Sequence, residues 1–294
     1  MSAFLSPLPS RAVVRISGEG AEHFLQGLIT CDVEKLEEGA ARYGGLLTPQ
    51  GKILSDFLVQ RREDGFWFDL PSALAADFIK RMTLYKLRAK VEIANLSDSH
   101  QVLALWSTTG EMTLPDGAFA DPRHAGLGGR LIAGRDAALP DGFAEADEAA
   151  WEAHRIALTV PEGGADFEYG QAFPHDADMD QLSGVALDKG CFVGQEVVSR
   201  MRHRGTARKR IIAVRAHDDL PETGSEITAG GKAAGTLGSV SGGAGLALVR
   251  IDRLGAAVKD GVPITAGDVA ITPHIPDWAQ FDWPADAAGN ETGA

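Results

Sequence analysis

Along the first third of the chain the apolar positions change period several times, and each change marks an element. RAVVRISG (11–18) alternates apolar and polar residues as a strand does and stops at Gly18. EGAEHFLQGLIT reads as a short amphipathic helix with Phe24, Leu25, Leu28 and Ile29 on one side. The stretch ARYGGLLTPQGKILSDFLVQRREDGFWFDL predicts three strands, turning at TPQG and EDG. A longer helix follows in PSALAADFIKRMTLYKL, opened by Pro71 and Ser72 and striped by Leu74, Phe78, Met82 and Tyr85. Strands return in RAKVEIANL and QVLALWS. The order β-α-β-β-β-α-β-β predicts an α+β region built on an antiparallel sheet.

From Thr108 to about Glu148 the periodicity is lost in Gly, Pro, Asp and Ala, and DPRHAGLGGRLIAG reads as loop. AEADEAAWEAHRIAL is helical. Beyond Arg204 the texture becomes short apolar pieces broken by glycine turns, the pattern of a small β-barrel. Residues 1–205 are therefore read as one region of two α+β subdomains, divided near 100–150, with a barrel over 206–276. The polar tail, 277–294, is expected to be disordered.

Composition narrows the function. The chain of 294 residues has a net charge of −13, from 28 basic and 41 acidic side chains, which argues against broad nucleic-acid binding. No apolar run is long enough to predict a membrane span. The N-terminal residues lack a signal-peptide or transit-peptide layout, and the expected location is the cytoplasm of a bacterium. With two cysteines, no C-x-x-C and scattered histidines, the chain has no metal-ligand spacing of its own. No phosphate-binding glycine motif is present either, and GSVSGG and GGAG read as barrel turns.

The candidate chemistry lies in KGCFVGQEVVSRMRHRG. GQEVVSRMR can begin a helix, placing Cys191 just ahead of its N-terminus with Lys189 close by. Both would favour a thiolate. A small buried core residue is the other reading of Cys191, and local chemistry leaves both open. Cys31, at the end of a short helix, reads as core. Six basic residues (Arg200, Arg202, Arg204, Arg208, Lys209 and Arg210) suggest a discrete anionic partner, although the last three also suit a solvated strand edge.

Lys189, Gly190, Cys191, Phe192, Gly194, Gln195 and Glu196, followed by Arg200 and Gly205, resemble the signature of the YgfZ-type folate-binding proteins. These belong to the superfamily of the glycine-cleavage aminomethyltransferase (T-protein). HFLQGLITCDV, YGGLLTPQGKILSDFLV, DPRHAGLGGRL, HRIALTVPEG and PHDADMDQLSGVAL are similar too, so the resemblance runs from residue 1 to about 275. It is close to the branch with mitochondrial relatives in [4Fe–4S] maturation.

The resemblance implies an aminomethyltransferase-like fold around a central channel, a tetrahydrofolate ligand and a C-terminal barrel. It also implies a role in iron–sulfur cluster assembly or repair, with assembly proteins or [4Fe–4S] client enzymes as partners. Cys191 would be the functional thiol, Lys189 its electrostatic support, and Gly190, Gly194, Gln195, Glu196 and Arg200 the supporting motif. Arg155 falls where the superfamily lines its channel, which makes it a folate-binding candidate, with a surface salt bridge as the other reading. The segment Phe68–Ser72 lacks the polar motif with which true aminomethyltransferases carry a catalytic aspartate, and Asp69 and Asp77 nearby do not replace it. Folate-dependent one-carbon transfer or demethylation is the alternative function.

Overall fold

The structure, a computed structural model, describes residues 3–204 and 208–284. The chain divides into two compact units. The first comprises Met1–His154, Tyr169–Pro174 and Leu182–Ser199, and the second Arg155–Glu168, His175–Gln181 and Arg200–Ala294.

The first unit opens with strands β1 (Ala3–Pro7) and β2 (Arg11–Ser17), helix α1 (Ala21–Gln26), and strands β3 (Ala41–Leu47), β4 (Ile53–Arg62) and β5 (Gly65–Pro71). Helix α2 (Ser72–Tyr85) precedes β6 (Glu92–Asn95), β7 (His100–Ser107), β8 (Phe119–Ala120), β9 (Gly129–Gly134) and β10 (Ala144–Glu145), and α3 (Glu148–Ala157) follows. One antiparallel sheet runs β3-β4-β5-β2-β6; a second runs β10-β1-β7-β9-β8, parallel only between β1 and β10.

Helix α2 closes the first sheet by burying Ala75, Phe78 and Met82, with Leu74 half-buried. Phe78 meets Phe57 and Phe68 at ring-centroid distances of 5.8 and 5.3 Å. Each such buried ring stabilises the unit by about 1.5–3 kcal/mol. Tyr85, placed on the inward stripe by its spacing, is exposed instead, because the helix ends beside it. Cys31 is core, in line with its sequence reading: it packs against Gly44, where a Cβ would fall 2.6 Å from the Cys31 sulfur.

The second unit takes the latter half of α4 (Gln195–Arg204), then β11 (Lys209–Arg215), β12 (Glu226–Ala229), β13 (Lys232–Ser241), β14 (Ala244–Arg250), α5 (Ile251–Asp260), β15 (Ile264–Ala266), β16 (Val269–Ala270) and β17 (Thr272–His274). Its seven strands, in the order β16-β15-β12-β13-β14-β11-β17, form the nearly closed C-terminal barrel. The glycine turn between β13 and β14 is a hairpin corner, with Gly242 at φ +56°.

Several elements differ from the sequence reading. β1 is short and ends in proline, and β9 is framed by glycines, so neither presents a usable period. Helix α5 falls within the stretch read as barrel; it carries Gly255 in its interior, which costs about 1 kcal/mol relative to Ala. That glycine lies against Trp283 and Pro284, 3.3 and 3.4 Å from where a Cβ would stand. The start of the expected disordered tail is thus packed: the Trp278 indole also donates to the Leu158 carbonyl at 3.0 Å. Residues 285–294 lie outside the described residues.

Candidate functional site

The motif loop belongs to the first unit and buries some of its side chains while exposing others. Lys189 and Phe192 are buried, whereas Gly190 and Cys191 are exposed. The core reading of Cys191 is thereby excluded, since its thiol is reachable from solvent.

Lys189 points away from solvent. Its ammonium donates to the carbonyls of Ile29 and Cys31, each at 2.7 Å, and lies 5.3 Å from the Phe192 ring centroid. The charge therefore sits among groups of the core, and Lys189 attaches the loop to the chain after α1. Burial pulls the Lys189 ammonium down to about 8, against the opposing pull of the Cys31, Asp32 and Glu34 side chains. Burial pushes the Cys31 thiol up to about 12, with Lys189 acting in the other direction.

At the far end of the loop, Gly194 adopts φ +81°, a left-handed conformation that glycine takes without strain. A Cβ on it would stand 2.6 Å from the Thr48 carbonyl oxygen and 3.1 Å from the Gly51 Cα. Gly51, at φ +80°, is the turn residue of the β3–β4 hairpin, and a Cβ there would meet the Val197 Cβ at 3.0 Å. The turn is closed by the Thr48 amide donating to Lys52 O and the Gly51 amide to Thr48 O, both 2.8 Å.

Gln195 opens α4, and its side-chain oxygen accepts from the Phe192 amide at 3.4 Å. Glu196 and Arg200 are exposed on that helix; Val198 is buried and Val197 and Met201 are half-buried. Gly205 lies outside the described residues.

Arg155 belongs to the second unit and does not fit the part of a folate ligand. It is fully buried, pairs with Asp166 at 2.9 Å, and donates to the Val160 carbonyl at 2.6 Å and the Ser239 hydroxyl at 2.8 Å. Its guanidinium is spent on the fold. Arg210, read as a strand-edge residue, is also buried: strand alternation turns it inward onto Asp180 at 2.6 Å and Asp178 at 3.1 Å, while Arg208 and Lys209 stay exposed.

Two buried constellations in the first unit escaped the sequence reading. Asp56 accepts from the Tyr43 hydroxyl at 3.0 Å and the Tyr169 hydroxyl at 2.5 Å. Asp69 meets Arg11 at 2.5 Å and Arg130 at 3.5 Å, while Asp121 holds Arg123 at 2.7 Å. Arg130 lies 4.2 Å from the Trp151 ring centroid. Its Nε and Nη1, with Asp69 Oδ2, lack hydrogen-bond partners. Only the charge-rich pieces DPRH and GGRL hinted at this network. Among the described residues no group of His, Cys, Asp and Glu is arranged to hold a metal ion.

Comparison with known proteins places the chain. Residues 10–113 match the GCVT N-terminal domain, and 208–281 match the CAF17 C-terminal beta-barrel domain. A solved glycine cleavage system aminomethyltransferase T from Bartonella henselae shares the fold at a TM-score of 0.73, covering 95% of this chain and 87% of that one at 17% identity. The iron–sulfur cluster assembly factor IBA57, mitochondrial, of Homo sapiens is 30% identical over 94% of this chain and 84% of its own length. The chain belongs to the IBA57 family. The Mus musculus member is 31% identical over 95% of this chain and 85% of its own. The Mycosarcoma maydis homolog is 31% identical over 71% of this chain, but the match spans 56% of that longer protein. The YgfZ resemblance is thus refined to IBA57 within the same aminomethyltransferase-like fold. These relatives are named as mitochondrial, and no described helix of this chain is long and apolar enough to cross a membrane.

Proposed function

We infer that this chain is an accessory factor for iron–sulfur cluster assembly or repair, and that Cys191 is the thiol through which it meets the cluster or its carrier. The observation that carries this reading is the presentation of Cys191: an exposed thiol on a loop held between the buried Lys189 and the buried Phe192, in a chain of the IBA57 family. A thiolate is a soft ligand suited to iron–sulfur clusters, which typically take about four of them. One reachable thiol per chain leaves the remaining ligands to a partner, so any cluster contact is shared with an assembly protein or a [4Fe–4S] client enzyme.

The test is replacement of Cys191 by Ala in cells lacking the wild-type chain. Loss of [4Fe–4S] enzyme activity with folding retained supports the reading; full activity sinks it.

Tetrahydrofolate binding is a separable part of the proposal. Its support is the aminomethyltransferase-like fold, and the role of the Cys191 thiol does not depend on it. Calorimetry with tetrahydrofolate on the wild-type protein tests it: saturable heat supports binding, and no heat at millimolar ligand removes it. The alternative of one-carbon transfer is separated by assaying the purified protein for turnover of a folate-borne one-carbon unit.

A further inference from the structure

We propose that Lys189 and the Gly51–Gly194 contact are the two positioning devices that hold Cys191 in place, Lys189 through backbone carbonyls and not through its charge on the thiol. The inference rests on Cys191 being the working thiol. It assigns roles to Lys189, and to a hairpin turn some 140 residues away in sequence, that the motif alone does not explain.

The anchors lie within three positions of the thiol: Lys189 two before Cys191 and Gly194 three after. On one side, the Lys189 ammonium joins two carbonyls, Ile29 and Cys31, that belong to a different stretch of chain. That stretch is itself fixed, because the Thr30 hydroxyl donates to the Gly184 carbonyl at 2.5 Å and the Ala186 amide donates to the Thr30 carbonyl at 2.9 Å. The segment before the loop is therefore stitched to residues 29–31 at three points.

On the other side, Gly194 and Gly51 approach so closely that neither has room for a Cβ without movement. The hairpin turn beneath them is braced from outside: the Ile53 amide donates to Ala172 O at 3.0 Å, the Gly170 amide to Ile53 O at 2.7 Å, and Lys52 Nζ sits 3.2 Å from the Phe173 ring centroid. Between the two anchors Gly190 has nothing within 4 Å of a would-be Cβ. The tip of the loop is open and its ends are clamped.

A thiol that must complete a ligand set with groups from another chain gains from such fixing. Misplacement by about 1 Å can cost a reaction on the order of a hundredfold, and each loose rotor must be ordered when the partner arrives. Deprotonation of Lys189 would leave a neutral amine that still donates two hydrogens to the same carbonyls, so the clamp does not depend on charge.

The experiment attaches a nitroxide spin label to Cys191 in the full chain, with one label per chain confirming that Cys31 stays unlabelled, and compares wild type with Lys189→Met and Gly51→Ala. The wild type should give a motionally restricted spectrum. Each variant should add a sharp, mobile component while far-ultraviolet circular dichroism remains native. The same unlabelled variants should support [4Fe–4S] enzymes about ten- to a hundredfold less well. Two variants at opposite ends of the loop guard against one of them failing to fold. Unchanged spectra in folded variants would overturn the positioning roles. If Cys191→Ser cells instead keep full [4Fe–4S] activity, it is the proposed function that falls, and the spectra still decide the clamp.

Discussion

Arg155 and Asp166 face each other at 2.9 Å with neither side chain exposed to solvent. Asp166 divides its two oxygens: one also accepts from the Glu162 amide at 2.8 Å, the other from the Ser239 amide at 2.7 Å. Removing one partner of a buried pair leaves an uncompensated charge and costs about 3–5 kcal/mol. Arg155→Ala should therefore lower the denaturation midpoint by a corresponding amount, and Arg155→Ala with Asp166→Ala should lose less than the two single changes together. Urea unfolding of the four proteins checks this.

Thiol accessibility separates the two cysteines. Native protein treated with iodoacetamide should take up one adduct, at Cys191, while Cys31 reacts only once the fold opens. Mass spectrometry before and after denaturant reads the count directly. A second adduct forming in native protein as fast as the first would contradict the burial of Cys31.

Alkaline pH should move stability in two opposed ways. The Lys189 value of about 8 lies below its ordinary 10.5, so between those pH values the unfolded chain binds more protons and this group makes stability rise with pH. Cys31, at about 12 against an ordinary 9.0, does the reverse: above pH 9 the unfolded chain sheds the thiol proton first and stability falls. Relative to wild type, Lys189→Met should lose the rise above pH 8, and Cys31→Ala should flatten the fall above pH 9. Denaturation midpoints measured from pH 7 to 10.5 distinguish the two.

Two glycines of the motif should respond differently to the same substitution. Gly194→Ala puts a methyl group 2.6 Å from the Thr48 oxygen at positive φ, and strain of this kind costs of order 1–3 kcal/mol. Gly190→Ala meets open space. Faster amide hydrogen exchange across 187–194 is expected for the first and not for the second.

Much of the fold was legible because strand and helix periods in this chain are clean where both faces have defined surroundings. Phe78 and Met82 announce α2, and the TPQG turn announces the β3–β4 hairpin. What escaped were elements whose stabilisation comes from outside their own sequence: β9, framed by glycines, and α5, whose Gly255 makes sense only beside Trp283. The site divided in the same way. Cys191 stood out by rarity and by its glycines, but Lys189 was read through its nearness in sequence to that thiol. Its true acceptors, 160 and 158 positions away, are carbonyls that every residue type carries, so no composition marks them. Arg155 and Arg210 could be read as charges, but whether a carboxylate already occupies an arginine is decided by folding alone.

The anchoring of Arg210 bears on how this architecture can be taken apart. Its guanidinium reaches Asp178, Asp180 and the carbonyl of His175, all upstream of the stretch 208–281 that matches a barrel domain. A fragment starting at residue 208 would carry a cation into its interior and leave every one of those acceptors behind. The barrel is consequently not a detachable cassette: any transplant or truncation has to bring residues 175–181 along.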